Sequence, residues 1–310
     1  MNALVLGPDG PALRDIPQPS GEGEAQIRLR LGGICATDLE LCKGYMGFQG
    51  VLGHEFVGVV EAAPAPEWVG QRVVGEINCP CGTCDTCRAG RPTHCPTRTV
   101  LGISGRDGAF SERFTLPVGN LHRVPEEVPD EVAVFVEPLA AALRILEQVQ
   151  VQPTDLVVVF GAGRLGQLCA RVLALTKARV HAVDRNRDRL ALLPPEVIRG
   201  RPEERADLTV DCTGSPEGLS LAASLTRPRG TVVLKTTAHD IAPVPTAPWV
   251  IEELTVVGSR CGPFEPALRL LASGAVDPRP LISACRPLGE GVDALEMAAN
   301  PAHLKVLLEP

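Results

Sequence analysis

Apolar positions in the first third of the chain follow the short alternating pattern of half-buried strands. Residues 26–31, Gln-Ile-Arg-Leu-Arg-Leu, alternate polar and apolar side chains, as a strand with one face on a core does. Similar short apolar runs stand at 3–6, 56–61 and 72–74, set between Gly and Pro residues. This pattern predicts irregular β structure in the first third, not a helical bundle.

The pattern changes near Pro138. Apolar residues recur every three or four positions between 139 and 150, which predicts a helix. Residues 155–160 form a continuous apolar run, as in strands buried on both faces of a parallel sheet, and an apolar helix is predicted from the next turn through Leu175. Further strands are predicted at 179–183, 208–212, 231–234 and 254–257, with helical stretches such as 216–225 between them. Strands that alternate with helices predict right-handed βαβ units and an α/β fold.

One connection in this second part is unusually short. The segment 194–206 contains Pro194, Pro195 and Pro202, and proline interrupts helices. We therefore expect a truncated connection there, without a full crossover helix.

Composition and charge narrow the class of protein. The 310 residues suffice for two domains, and 45% hydrophobic with 22% charged residues is typical of a globular protein with a sizeable core. A net charge of −7 argues against a nucleic-acid partner, which needs a clustered basic face. No apolar stretch is long enough to cross a bilayer, and no signal peptide is recognisable. We therefore expect no membrane partner and a cytoplasmic location.

Four of the eleven cysteines are closely spaced. Cys81, Cys84 and Cys87 are followed by Cys95 after seven residues. Four thiolates at these separations can surround one tetrahedral Zn²⁺, and a closed four-sulfur shell predicts a structural zinc. Free thiols or a redox pair are the alternative. Within the zinc hypothesis, Cys79 or His94 could replace one of the four ligands.

A second set of metal-binding residue types is scattered along the chain. Cys35, His54, Glu55 and Glu137 offer thiolate, imidazole and carboxylate groups, a mixed set suited to a catalytic Zn²⁺ that keeps one position open. Each residue alone is a weak signal, because a single buried Cys usually belongs to a core and a His beside a Glu is usually a satisfied pair.

Taken in order, these segments carry a family resemblance. Gly33-Ile-Cys-x-Thr-Asp, Gly53-His-Glu-x-x-Gly and Cys81-x2-Cys-x2-Cys-x7-Cys precede a glycine-rich turn. The chain resembles the zinc-dependent medium-chain dehydrogenase/reductase family, which includes alcohol, polyol, threonine and aldose dehydrogenases. The resemblance implies a GroES-like β-rich catalytic domain split around a Rossmann domain with a doubly wound parallel sheet. We expect the catalytic domain at 1–138, the dinucleotide-binding domain at 139–260, and a return to the catalytic domain at 261–310.

The resemblance implies a role for each candidate zinc ligand. Cys35 and His54 would ligate the catalytic zinc, and Glu55 would ligate it directly or exchange with its water. Glu137 corresponds to the third protein ligand of the polyol and aldose branches, so the choice between the two carboxylates stays open.

Three further residues receive roles near the metal. Asp38 corresponds to the carboxylate that orients the zinc-bound His54, and Thr37 to the hydroxyl that accepts the substrate's proton. Glu40 stands where many alcohol, polyol and threonine dehydrogenases have a His that continues the proton relay. A Glu at this place is a feature of the aldose branch, and the relay route and substrate class both stay open.

The glycine-rich turn has the context of a dinucleotide-binding motif. Gly161-Ala-Gly163-Arg164-Leu165-Gly166 follows a predicted strand and opens a predicted helix. The first glycine permits the tight turn, the second lets the backbone approach the pyrophosphate, and the third lets helix and strand pack closely. The diphosphate would bind at the helix N-terminus, where free N–H groups favour negative charge.

Asp184 ends the next predicted strand, where a carboxylate would bind the ribose hydroxyls of NAD. Because the 2′-phosphate of NADP would meet like charge there, NAD is favoured. Arg185 and Arg189 are the argument for the alternative, since a guanidinium could receive that phosphate. Thr213, just after the strand at 208–212, completes the predicted cofactor-binding residues.

Together these features predict a zinc-dependent oxidoreductase that transfers a hydride between the hydroxyl carbon of an alcohol, polyol or sugar and NAD(P). It would carry one catalytic and one structural zinc and act on a small molecule. The alternatives are a zinc-independent quinone or enone reductase of the same superfamily and a non-catalytic dinucleotide-binding protein. By analogy with the family we expect a homo-oligomer, a dimer or tetramer, with Val256 and Val257 in a strand that could pair across the interface.

Overall fold

The computed structural model describes residues 1–21, 23–236 and 246–310. The chain divides into two compact units, residues 1–137 with 264–310, and residues 138–263. The sequence places the corresponding boundaries after residues 138 and 260.

Nineteen strands are found in the described residues. They are β1 Asn2–Gly7, β2 Gly10–Asp15, β3 Ala25–Gly33, β4 Gly50–Val51, β5 Glu55–Ala62, β6 Arg72–Gly75, β7 Asn78–Cys79, β8 Thr99–Leu101, β9 Gly105–Arg106, β10 Arg113–Leu116, β11 Leu121–Arg123, β12 Leu156–Phe160, β13 Arg179–Val183, β14 Ile198–Arg199, β15 Ala206–Asp211, β16 Thr226–Leu234, β17 Thr255–Gly258, β18 Ile282–Pro287 and β19 Lys305–Glu309.

The same part of the chain forms ten α-helices. They are α1 Ala36–Cys42, α2 Asp85–Arg88, α3 Asp130–Ala133, α4 Val136–Gln148, α5 Arg164–Ala174, α6 Arg187–Ala191, α7 Gly218–Leu225, α8 Ala247–Ile251, α9 Phe264–Ala272 and α10 Gly291–Ala299.

The first unit is built on a seven-stranded sheet. Its strands follow the order β11-β6-β5-β3-β19-β18, and β10 also pairs with β3. The first half of β3 alternates as expected, with Ala25, Ile27 and Leu29 fully buried. Strand β3 runs antiparallel to β5, with Gly33 opposite Glu55, and antiparallel to β19, with Gly33 opposite Leu307. The segments that follow β3, precede β5 and open β19 therefore meet at one end of the sheet.

The second unit is a parallel sheet with the strand order β14-β13-β12-β15-β16-β17. Every neighbouring pair is parallel, and all five residues of β12 are buried. This order is that of the dinucleotide-binding Rossmann fold, in which the strand order reverses beside the first strand and leaves a crevice there. The predicted α/β fold class is confirmed.

Several elements differ from the sequence predictions in their bounds. The helix expected at 139–150 begins three residues earlier, because Pro138 fits the first turn of α4, where no N–H bond is lost. The truncated connection is present, since residues 192–205 contain the two-residue strand β14 and no helix. The seven-residue helix α1 was not predicted within the β-rich first third; Asp38 in its first turn, which accepts the backbone N–H of Cys35 at 2.8 Å, is the capping signal that marks it.

Candidate active site

Cys35, His54 and Glu55 converge at the sheet end where β3 stops and β5 starts. One ligand atom of each lies within 4.8 Å of the others. His54 and Glu55 are 3% and 1% exposed, while Cys35 is partly exposed. A sulfur, an imidazole nitrogen and a carboxylate oxygen at this spacing fit the donor set of a zinc ion with one open position.

Asp38 fixes the two segments that carry these ligands. Its carboxylate is fully buried and accepts the N–H of Cys35 at 2.8 Å and of Gly53 at 3.3 Å. Its Oδ1 also lies 3.3 Å from Nδ1 of His54. One carboxylate thus fixes the backbone on both sides of the site and lies beside the ring, where the partners of metal-bound histidines commonly stand.

Gly53 is required by the backbone geometry beside His54. It has a φ of +97°, and a Cβ atom there would lie 2.3 Å from the Phe110 ring, which is fully buried. Any side chain at position 53 would move either the ring or His54.

The charges around His54 favour protonation of its ring in the absence of metal. Burial opposes the charged form, but the Asp38 carboxylate and the Cys35 sulfur outweigh it and raise the pKa of His54 well above its usual value. A metal ion that binds the ring must displace that proton, so metal binding and proton release are coupled here.

Glu55 is paired with a buried lysine from the far end of the chain. Lys305 Nζ contacts the Glu55 carboxylate, with both side chains at most 3% exposed. The ammonium group also lies 3.4 Å from the carbonyl of Ile34 and 5.4 Å from the centre of the Phe135 ring. The charge of Glu55 is therefore balanced inside the unit by a residue in the first position of β19.

Thr37 and Glu40 both belong to α1, directly after Cys35. The Thr37 hydroxyl lies 3.9 Å from the Cys35 sulfur, close enough to meet a molecule bound there. Glu40 instead accepts a hydrogen bond from the exposed Lys43 at 2.8 Å. Glu137, in the first turn of α4, is outside the group formed by Cys35, His54 and Glu55.

The four predicted zinc cysteines form a second cluster. The sulfurs of Cys84 and Cys87 are 3.5 Å apart, those of Cys84 and Cys95 3.9 Å, and those of Cys95 and Cys81 3.6 Å. A tetrahedral zinc with Zn–S bonds of about 2.3 Å separates its sulfurs by about 3.8 Å. These distances fit one zinc ion.

The cysteines of this cluster differ in how readily they lose a proton. Backbone N–H groups of Thr83 and Cys84 lower the pKa of Cys81 to about 5, while desolvation and the contact with Cys84 raise the pKa of Cys87 to about 12. A metal ion that binds all four sulfurs must displace the protons that remain on them, Cys87 above all, so metal binding here releases protons. Cys79 lies elsewhere, buried beside the amide of Asn120 at 3.7 Å, and His94 is not in the cluster either.

The glycine-rich turn joins β12 to α5 in the second unit. Helix α5 begins at Arg164, with Leu165 next and Gly163 as the N-cap. Gly161 has a φ of +86°, and a Cβ on Gly166 would lie 1.7 Å from the Gly161 carbonyl. The turn can close this tightly only with glycine at both places. A Cβ on Gly163, the N-cap, would have nothing within 4 Å, so there is room for an anion at the helix N-terminus.

Asp184 is fixed beside this turn at the end of β13. Its carboxylate accepts the N–H groups of Ala162 and Asn186, each at 2.7 Å. Arg189 lies 3.8 Å from the same carboxylate, whereas Arg185 is exposed. Thr213 follows β15 and donates its hydroxyl to Asp211 at 2.8 Å.

Comparison with known proteins places this arrangement in a family. Residues 21–126 match the alcohol dehydrogenase GroES-like domain. The chain is 30% identical to the starvation-sensing protein RspB of Escherichia coli K12, over 92% of this chain and 90% of that protein. It is also 30% identical to the D-xylulose reductase A of Aspergillus oryzae, over 94% and 88%. The chain belongs to the zinc-dependent medium-chain dehydrogenase/reductase family.

A solved structure of a family member has the same fold throughout. RspB from Escherichia coli CFT073, an alcohol dehydrogenase in complex with NADH, superposes with a TM-score of 0.90 at 28% identity and covers 100% of this chain and 99% of its own. Family membership confirms the predicted class of activity, an alcohol and polyol oxidoreductase. Among the described helices, none is long and apolar enough to span a membrane.

Sequence reasoning missed one residue of this medium-chain dehydrogenase site, Lys305. It is 250 residues from its partner Glu55, so no local spacing connects them. The available signal was a single lysine in the otherwise apolar run 304–308, since a charged residue in a buried strand requires a partner.

Proposed function

We propose that the chain transfers a hydride between a hydroxyl carbon of a polyol or sugar and NAD, with a catalytic zinc bound by Cys35, His54 and Glu55. The observation that carries this proposal is the convergence of these three donors, with His54 held by the buried Asp38. Glu55 is preferred over Glu137 as the carboxylate because it lies within the group. Glu137 stays the alternative.

The residues around the three metal donors are proposed to have separate roles in the reaction. A bound zinc would supply Lewis acidity and lower the pKa of a coordinated hydroxyl. Thr37 is proposed to accept the substrate's proton, because its hydroxyl is beside Cys35 and only partly exposed. Glu40, three residues past Thr37 on the same helix, is proposed to pass the proton outward, in keeping with its salt bridge to the exposed Lys43.

A screen for NADH production tests this function. Sugars, polyols, primary and secondary alcohols and amino alcohols would be supplied to zinc-loaded protein. We expect the highest kcat/KM with a polyol or sugar, since Glu40 is acidic, aromatic residues make up only 3% of the chain, and a relative is a xylulose reductase. A protein that reduces quinones or enones after zinc removal would contradict the proposal.

NAD is proposed as the preferred dinucleotide. Asp184 is fixed at the end of β13, where a 2′-phosphate would meet its charge. We expect a higher kcat/KM with NAD than with NADP. Asp184→Ala, which removes the proposed ribose contact, should lower kcat/KM for NAD by about tenfold to a hundredfold, the range for a hydrogen bond to a charged group. Arg189→Ala is the matched change, expected to keep the NAD preference. Equal or better turnover with NADP would contradict the proposal.

A structural zinc is proposed at Cys81, Cys84, Cys87 and Cys95. Protein purified without chelator should contain about two zinc ions per chain, and Cys84→Ser should lose about one of them. Elemental analysis measures this directly. Cys79→Ala, which changes a buried thiol that is not one of the four, should retain both ions; an unchanged zinc content in Cys84→Ser would remove this site.

We propose that the protein is a homo-oligomer in the cytoplasm. Strand β17 lies at the edge of the parallel sheet and is largely exposed, and the preceding Val250 and Ile251 are 76% and 79% exposed. An exposed edge strand with apolar neighbours favours pairing with a second copy. The use of cysteines as thiols and metal ligands suits a reducing compartment. Sedimentation velocity of the purified protein measures the oligomeric state, and a monomer would contradict this part.

A further inference from the structure

Two cysteines outside both zinc clusters meet beneath the dinucleotide-binding turn. Cys169 lies in α5 and is fully buried, and Cys212 follows β15 directly and is partly exposed. Their sulfurs are 3.8 Å apart, with the S–H of Cys212 donated to Cys169. None of the roles proposed above uses this pair.

Cys212 packs closely against the backbone of the dinucleotide-binding turn. Its N–H bonds to the carbonyl of Phe160 at 2.8 Å. A Cβ on Gly161 would lie 2.6 Å from the Cys212 carbonyl, and a Cβ on Gly166 would lie 3.3 Å from the Cys212 Cβ. The first and third glycines of the turn therefore pack directly against Cys212, and neither leaves room for a side chain.

The surroundings favour thiol reactivity at Cys169. The S–H bond from Cys212 outweighs burial and lowers the pKa of Cys169, and the ammonium of Lys235 acts in the same direction. The same contact raises the pKa of Cys212. Lys235 is itself buried and bonded to the carbonyls of Ala141 and Arg260, so its charge is held in place near the sulfurs.

We propose that Cys169 and Cys212 are a site of reversible disulfide formation, with hydrogen peroxide as oxidant, and that the disulfide weakens dinucleotide binding by the turn. The second half of this proposal rests on the proposed binding of NAD at Gly161–Gly166.

The chemistry balances in two steps. The sulfur of Cys169, whose thiolate form is favoured by the S–H bond from Cys212, attacks peroxide; an S–O bond forms, the O–O bond breaks, and the released hydroxide leaves as one water with the proton that Cys169 gave up. The sulfur of Cys212 then attacks the sulfenic acid on Cys169; the S–S bond forms, the S–O bond breaks, and the proton of Cys212 leaves with the hydroxyl as a second water. Two thiols are oxidised and one peroxide is reduced. A dithiol reverses the reaction by thiol–disulfide exchange.

The consequence for the turn follows from the bond length. A disulfide requires an S–S distance of about 2.05 Å, against 3.8 Å in the dithiol form. Some movement of Cys212 or α5 must supply the difference. Because Gly161 and Gly166 are in contact with Cys212 and with each other, that movement displaces the N–H groups that face the diphosphate.

The test treats zinc-loaded protein with hydrogen peroxide at low molar excess. Mass spectrometry of the unreduced digest should show a peptide linked through Cys169 and Cys212, lighter by two hydrogens than the sum of its parts. Titration with NADH, followed by fluorescence, should show an affinity lower by about tenfold, equivalent to about 1.4 kcal/mol, and dithiothreitol should restore it. Zinc content is measured in parallel, because oxidation of the metal ligands would release zinc.

Variants separate this site from general oxidation. Cys212→Ser and Cys169→Ala should retain their NADH affinity through the same treatment, whereas Cys285→Ser, which removes an exposed thiol, should respond like the parent. Absence of the linked peptide overturns the proposal, and so does an equal affinity loss in Cys212→Ser. A linked peptide with unchanged affinity overturns the effect on binding. Reduced protein that binds no NADH at all instead counts against the proposed function, and the linked peptide still decides whether the disulfide forms.

Discussion

Replacing Cys35 by Ser or His54 by Ala is expected to lower kcat/KM by at least about a thousandfold, because the metal supplies several kcal/mol of charge stabilisation to the transition state and each factor of ten equals about 1.4 kcal/mol. Each change removes one of the three converging donors. Zinc content should fall by about one ion per chain, since a two-donor site holds the metal poorly. NADH binding should persist, because the dinucleotide-binding turn belongs to the other unit.

Three measurements make this prediction specific. Steady-state kinetics, zinc analysis and NADH titration would be run on the same preparations. Cys285→Ser is the matched control, a cysteine-to-serine change at an exposed position expected to leave all three unchanged. Wild-type turnover in either Cys35→Ser or His54→Ala would remove the catalytic zinc assignment, whatever the zinc content.

The hydrophobic pattern of the sequence was enough to predict the α/β fold of the second unit. Val157, Val158 and Val159 lie in a strand buried on both faces, so they read as a continuous apolar run and could be assigned without tertiary information. Strand β13 begins and ends where the pattern placed it. By contrast, β16 starts at Thr226, five residues before the predicted run, because Arg227 and Arg229 break the apolar pattern in its first half.

The site was predictable in its ligand types and not in its supporting contacts. Cys35 and His54 stand in short motifs with specific residue chemistry, which a sequence displays directly. The bond from the Gly53 N–H to Asp38 depends on the antiparallel register of β3 and β5, which sequence spacing does not specify. The pairing of Lys305 with Glu55 depends in addition on β19 joining the sheet beside β3. The choice between Glu55 and Glu137 as the carboxylate ligand likewise depends on tertiary contacts, which sequence spacing does not specify.

Replacing Lys305 by Met is expected to destabilise the metal-free protein by about 3–5 kcal/mol, the cost of leaving one member of a buried ion pair without its partner. This is a large part of the 5–15 kcal/mol that typically separates folded from unfolded proteins. Methionine fills a similar volume, so little of the loss comes from packing. Urea unfolding in the presence of a chelator measures the change.

Two further variants show whether charge is the cause. Lys43→Met makes the same substitution in the exposed pair with Glu40, where Lys43 is 71% exposed, and should cost at most about 1 kcal/mol. The double variant Lys305→Met with Glu55→Gln removes both charges of the buried pair and should recover most of the lost stability. If it is no more stable than Lys305→Met alone, the loss comes from something other than the unpaired carboxylate. Added zinc should also stabilise Lys305→Met more than it stabilises the parent, because a cation beside Cys35 and His54 balances the Glu55 charge that the lysine no longer does.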